Sequence, residues 1–90
     1  MGLYQGCVVG ISKHNDYAFI KRDTVKRRDG TEDEELNWVQ SDLFLHAHEN
    51  HSIGNGILPH WLDGRLVTFD LDFQANRRNG EPLVYGAQQL

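Results

Sequence analysis

Apolar residues recur at every second position in several short stretches of this chain, and glycines or polar clusters separate the stretches. A period of two marks half-buried β-strands, because successive side chains on a strand point to opposite faces. From Tyr4 to Ile20 the chain is rich in Val, Ile, Tyr and Phe and is broken by Gly6, Gly10 and the run Ser12-Lys13-His14-Asn15-Asp16, which predicts two strands joined by a turn. In the second of these, Tyr17 and Phe19 share one face while Ala18 and Ile20 share the other. A third strand fits Asp42-Leu43-Phe44-Leu45-His46, where Leu43 and Leu45 alternate with Phe44 and His46. In both strands the rings stand together on one side and the aliphatic side chains on the other.

A fourth strand over residues 65–73 sets Val67, Phe69, Leu71 and Phe73, its expected core face, against Leu66, Thr68, Asp70 and Asp72. A fifth, over 81–88, carries Leu83, Val84 and Tyr85, with Pro82 at its start or on an edge, where a missing N–H is tolerated. Asn76-Arg77-Arg78-Asn79-Gly80 reads as the turn between them. Residues 22–41 are highly charged, carry a turn signal at Asp29-Gly30 and hold only the weak apolar group Leu36, Trp38 and Val39, so they read as a long loop with room for one helical turn. Residues 48–64 contain Gly54, Gly56 and Pro59 and are expected to be mostly irregular, tacked to the core by Ile57, Leu58, Trp61 and Leu62. Short strands with little helix predict one all-β domain over residues 1–90, and closing the sheet removes edges that invite aggregation. The arrangement that fits is a five-stranded antiparallel Greek-key barrel, the OB-fold, with an extended loop between its second and third strands.

With 90 residues the chain has room for a single core, and 39% apolar with 24% charged residues is the composition of a globular domain rather than a disordered tail or a fibre. No stretch approaches the roughly 20 apolar residues of a membrane span, and MGLYQGCVV lacks the basic start and long apolar run of a secretory signal, so a cytoplasmic location is expected. The single cysteine, Cys7, excludes an intramolecular disulfide and fits a reducing compartment. A formal net charge of -4 argues against nucleic-acid binding by bulk positive charge. The basic residues are clustered nevertheless. Lys21, Arg22, Lys26, Arg27 and Arg28 lie close together, Arg77 and Arg78 form a pair, and Glu32, Asp33, Glu34 and Glu35 follow the first group. Histidines in His46-Ala47-His48-Glu49-Asn50-His51 raise the question of a metal, but their spacing matches no zinc pattern, and no metal or other cofactor is expected. No nucleophile elbow, phosphate-cradling glycine loop or HExxH is present, and a solvent-facing strand explains Asp70 and Asp72, so no enzyme is expected.

Four segments resemble the cold-shock domain family in order and spacing. Gly6-Cys7-Val8 is similar to the family's opening G-x-V. Asp16-Tyr17-Ala18-Phe19-Ile20 is similar to its G-[FY]-G-F-I motif, and Asp42-Leu43-Phe44-Leu45-His46 to its D-[VIL]-F-[VA]-H motif. Leu62-Asp63-Gly64-Arg65-Leu66-Val67-Thr68-Phe69 is similar to L-x-x-G-x-x-V-x-F, so the resemblance spans nearly the whole chain. It implies an OB barrel that binds single-stranded RNA or DNA, in the role of an RNA chaperone or regulator, with bases stacked on Tyr17, Phe19, Phe44 and His46.

The departures from that pattern bear on affinity. Gly10 stands where the family has an exposed ring on the first strand, Ala47 replaces the aromatic after the second motif's histidine, and Asp16 and Ala18 replace two glycines. Two lost platforms, at about 1 to 3 kcal/mol each, weaken binding by about 2 to 6 kcal/mol unless something compensates. The long loop is the candidate, with Lys21, Arg22, Lys26, Arg27 and Arg28, and Lys13 in the first turn, as phosphate contacts and Trp38 as a substitute ring. The opposing reading packs Trp38 and Trp61 onto the barrel and pairs the basic run with residues 32–35. The lost platforms and the negative charge also suit a second function, a repurposed barrel that holds a protein partner and binds nucleic acid weakly or not at all.

Overall fold

A computed structural model describes residues 2–75 and 81–90 of the chain. The period-two stretches form strands β1 (Tyr4–Val9), β2 (Tyr17–Ile20), β4 (Leu43–His46), β5 (Leu66–Asp72) and β6 (Leu83–Gln89), with a two-residue β3 (Lys26–Arg27) inside the long loop. The turn expected at residues 76–80, with Arg77 and Arg78, lies outside the described residues. All pairings are antiparallel, in the order β4-β2-β1-β5-β6. The meander β1-β2-β4 is followed by a long connection that returns β5 to the free side of β1, which is the Greek key. The two ends of the path, β4 and β6, come to lie against each other. The result is a nearly closed, five-stranded antiparallel barrel of the OB-like kind.

Alternation fills the interior. Val8, Ala18, Ile20, Leu43, Leu45, Val67 and Phe69 are fully buried, each the inward member of its strand. Gly6 is also inward, and a Cβ placed there would sit 2.5 Å from Ile20 Cγ2, so close packing of β1 over β2 requires glycine. Across the β4–β6 gap a buried side chain does the work of a ladder. Asn50 donates from Nδ2 to the carbonyls of His46 (2.9 Å) and Val84 (3.1 Å), and its Oδ1 accepts from the Ala87 N–H (3.0 Å). Ser52 adds a bond from Oγ to the Ala87 carbonyl.

The long loop is more ordered than its charge suggests. β3 pairs with Tyr4 and Gln5 of β1, and the expected helical turn is α1 (Glu34–Asn37), capped by Asp33, whose Oδ1 accepts from the Glu35 N–H. Leu36 of α1 and Val25 of the loop are buried. In the β4–β5 connection, short turns replace the irregular chain expected there: Ala47–Glu49, α2 (His51–Gly54) and His60–Leu62. Leu58 and Leu62 are buried as anticipated, but Ile57 and Trp61 are 63% and 55% exposed and do not tack the segment down. Reciprocal bonds between Asn15 and Leu58 fix the segment by its backbone, and the single turn after Pro59 sends Leu62 inward while leaving Trp61 outside. Thr68 is buried although Val67 and Phe69 on either side of it take the inward positions, so it is covered on the outer side of β5; the register shift between Thr68 and Asp70 puts an extra residue on β6, where Val84 and Ala87 are both buried. Asp70 and Asp72 serve the backbone, accepting from the N–H groups of Leu3, Gln74 and Ala75. Among the described residues no helix is long and apolar enough to cross a membrane.

Candidate functional site

The β2–β4 register sets Tyr17 opposite His46 and Phe19 opposite Phe44. Because Ala18, Ile20, Leu43 and Leu45 occupy the core, the four rings must stand on the outer face, where all are half-buried. Phe44 is the hub. Its ring centroid lies 4.7 Å from Phe19, 5.3 Å from Tyr17 and 5.1 Å from His46, the last with planes only 15° apart. Tyr17 and Phe19 meet edge to face at 5.9 Å. The row continues past the strand end, with the exposed His48 ring 6.3 Å from His46 and tilted by 21°. Cross-strand ring pairs of this kind contribute roughly 0.2–1 kcal/mol each, so the cluster holds its own geometry.

Both missing platforms have a backbone reason. Gly10 has φ +67°, where the chain leaves the sheet after Val9, and a Cβ there would stand 3.6 Å from Phe19 Cδ2. The flank of Phe19 toward β1 therefore carries no ring. Ala47 is turned into the core and donates its N–H to the Asp16 carbonyl, so no side chain at 47 reaches the outer face.

The turn at one end of the cluster is fixed by Ser12, whose Oγ donates to Asp16 Oδ1 (2.6 Å) and accepts from the N–H groups of Asp16 and Tyr17. The Ser12 hydroxyl holds the Asp16 carboxyl below its ordinary range, with the positive fields of His14 and His46 adding to the effect. A negative charge thus borders the rings on this side. Lys13 is exposed in the same turn. At the opposite end Lys21 follows Phe19 by two residues, exposed and still bonded through its N–H to the Cys7 carbonyl.

The remaining loop cations are placed differently from expectation. Arg22 does not face a ligand: its Nε donates to the Val39 carbonyl (2.6 Å) and its Nη2 to that of Leu36 (2.9 Å), and Asp42 accepts from its N–H (2.8 Å). Arg27 is likewise engaged, with Nε 3.5 Å from Asp33 and its guanidinium 5.9 Å from the Tyr4 ring centre. The Tyr4 hydroxyl donates to Asp33. Burial and this bond push the Tyr4 pKa up to about 12. Burial alone would raise the Asp33 carboxyl, but the Tyr4 hydroxyl and the Arg27 charge hold it below its ordinary range. Lys26 and Arg28 are exposed beside the start of β1. Val9, the β1 neighbour of Phe19, is five residues further along, about 17 Å at 3.3–3.4 Å per residue. Trp38 is 84% exposed, against the reading that packs it on the barrel.

One feature is invisible in the sequence. A cleft of about 420 Å³ opens beside the rings, lined by Tyr17, Phe44 and His46 on one wall and by Glu81, Pro82, Leu83 and Val84 on the other. Ser41 Oγ donates to Glu81 Oε1 across 3.0 Å. The second wall comes from the far end of the chain, and only the barrel's closure brings it to β4. Among the described residues no three His, Cys, Asp or Glu side chains converge as a metal site requires. Compared with protein-family models, curated proteins and solved structures, the chain matched none.

Proposed function

We propose that this chain is a divergent cold-shock-like domain that binds single-stranded RNA or DNA by stacking bases on Tyr17, Phe19, Phe44 and His46. The observation that carries the reading is the cluster of half-buried rings centred on Phe44, held on the outer face of β2 and β4. Each stacked base contributes roughly 1–3 kcal/mol with little dependence on sequence. Lys13 and Lys21, at opposite ends of the cluster, are the nearest candidates for phosphate contacts, and Lys26 and Arg28 serve only a longer strand. Trp38 supplies a further exposed ring. With two phosphates neutralised, the salt dependence is shallow, a slope of about -1.4.

Titration of a short oligonucleotide, followed by NMR, tests the proposal. Shifts centred on the ring signals of β2 and β4 are the expected result, and ring signals that stay still at millimolar ligand refute it. A second reading, docking of a protein partner on the same face, is favoured by the carboxylates Asp16 and Glu81 that border the rings. Capture of a partner that survives nuclease treatment, together with silent oligonucleotide titrations, would establish it instead.

A further inference from the structure

Three parts of the cleft beside the rings differ in chemistry, and together they describe one guest. Tyr17, Phe44 and His46 give one side of the cleft aromatic surface, Phe44 and His46 being stacked on each other with planes 15° apart, and the segment Pro82-Leu83-Val84 gives the other side apolar surface. A flat heteroaromatic group suits a lining of rings and apolar side chains, and about 420 Å³ lies within the range of small-ligand pockets. The third part is Glu81. Its carboxylate is an acceptor only, with two oxygens and about four lone-pair sites. Among the described residues the Ser41 hydroxyl is its hydrogen-bond partner, on Oε1, and one such bond leaves acceptor capacity on the carboxylate.

We infer that the cleft is a base-selective subsite that takes guanine from a single strand, with the Glu81 carboxylate accepting from N1–H and the N2 amino group. The inference rests on the nucleic-acid reading above and deepens it. Guanine is the one standard base whose Watson–Crick edge carries two adjacent donors, and an ionised carboxylate presents two parallel acceptors to match them. Uracil and thymine place carbonyl oxygens on either side of a single N–H, and these repel a carboxylate. Adenine and cytosine each offer one amino donor beside a ring-nitrogen acceptor. The rings on the open face stack any base, so the cleft adds selectivity that they lack. The pairing also assigns a role to a negative charge at the edge of a nucleic-acid face: it excludes the bases that cannot donate twice.

The test uses uridine hexamers carrying one guanosine at successive positions, with Kd read by NMR shift or tryptophan fluorescence on the whole chain. At the favoured position the guanosine hexamer binds about ten-fold more tightly than all-uridine, within the range of bidentate base discrimination. Inosine, which lacks the N2 amino group, falls between them. In Glu81→Gln the guanosine preference collapses while the all-uridine affinity is retained. Equal affinities for guanosine and uridine hexamers, or a preference that survives Glu81→Gln, overturn the inference but leave stacking on the open face intact. Failure of every hexamer to bind overturns both. Should Glu81→Gln fold poorly, the guanosine–inosine–uridine order on the unmodified chain decides alone.

Discussion

Phe44 and Arg22 both carry planar side chains, and the structure uses them in opposite ways. Phe44 touches three other rings and keeps part of its face in water, whereas Arg22 turns its guanidinium onto the carbonyls of Leu36 and Val39. The same contrast separates their regions. The β2–β4 face holds rings that contact one another and remain only half-buried. The basic half of the long loop spends Arg22 on closing the loop upon itself, through the carbonyls of Leu36 and Val39, and Arg27 on Asp33 and the Tyr4 ring of β1. Clustered charge here serves the packing of the loop, whereas the clustered rings of β2 and β4 keep surface on the outside of the barrel.

The division is broken most severely by Arg22→Ala. Bonds from a charged donor are worth about 1.5–3 kcal/mol, and two are lost together with the orientation of α1, so loop docking weakens by about 3 kcal/mol. Hydrogen exchange and limited proteolysis across residues 22–41 should rise steeply while oligonucleotide affinity stays within about two-fold. An affinity that drops in parallel with loop protection would mean that the two regions are one functional unit.

Next in size is the effect of pH on the clasp formed by Tyr4, Asp33 and Arg27. The Tyr4 hydroxyl ionises near 10.0 in the unfolded chain and at about 12 in the folded one. The clasp's contribution is thus complete below pH 10 and is lost as pH rises through about 12, a loss of about 2–3 kcal/mol. Urea midpoints measured across that window should fall, and Tyr4→Phe should flatten the fall. Asp33, held below its ordinary range, has the opposite sign: its contribution is present above the ordinary carboxylate range and is lost as pH falls through its folded value. An acid limb reduced by Asp33→Asn would confirm it.

On the other side of the comparison, Phe44→Ala removes the hub of the ring cluster. Binding should weaken about 30-fold, equivalent to about 2 kcal/mol. Stability should fall by no more than the three lost ring contacts, about 0.6–3 kcal/mol, because Phe44 faces outward and the inward Leu43 and Leu45 remain. A large loss of stability with unchanged affinity would assign the rings to packing alone.

How much of this was legible beforehand follows from how far each feature reaches. Alternation over four residues was enough to put Tyr17, Phe19, Phe44 and His46 on one face, because a strand's side-chain direction is a local property. It gave no sign that the outward Thr68 is covered, nor that β6 carries an extra residue that brings both Val84 and Ala87 inward, and it failed at Trp61, where one short turn decided which side chain pointed inward. The engagement of Arg22 and Arg27 depends on where α1 and Asp33 dock, and that is a tertiary fact. Asn50 and the Glu81 wall needed the closed barrel itself. No local pattern distinguishes an asparagine that bridges β4 to β6 from any other loop asparagine.

The smallest effect is also the one that isolates charge from geometry at the ring face. Asp16→Asn keeps an oxygen in place to accept from Ser12 Oγ, so the turn that presents Tyr17 should survive. Only the negative charge goes. Removing a carboxylate from the border of a phosphate path should strengthen binding by about two- to three-fold at low salt, and the gain should shrink as ionic strength shortens the screening length toward about 8 Å at 0.15 M. A gain that persists at high salt would point to an altered turn rather than to repulsion. No gain at any salt would place the phosphates away from Asp16, on the Lys21 side of the cluster, and would make Lys21 the more important of the two lysines.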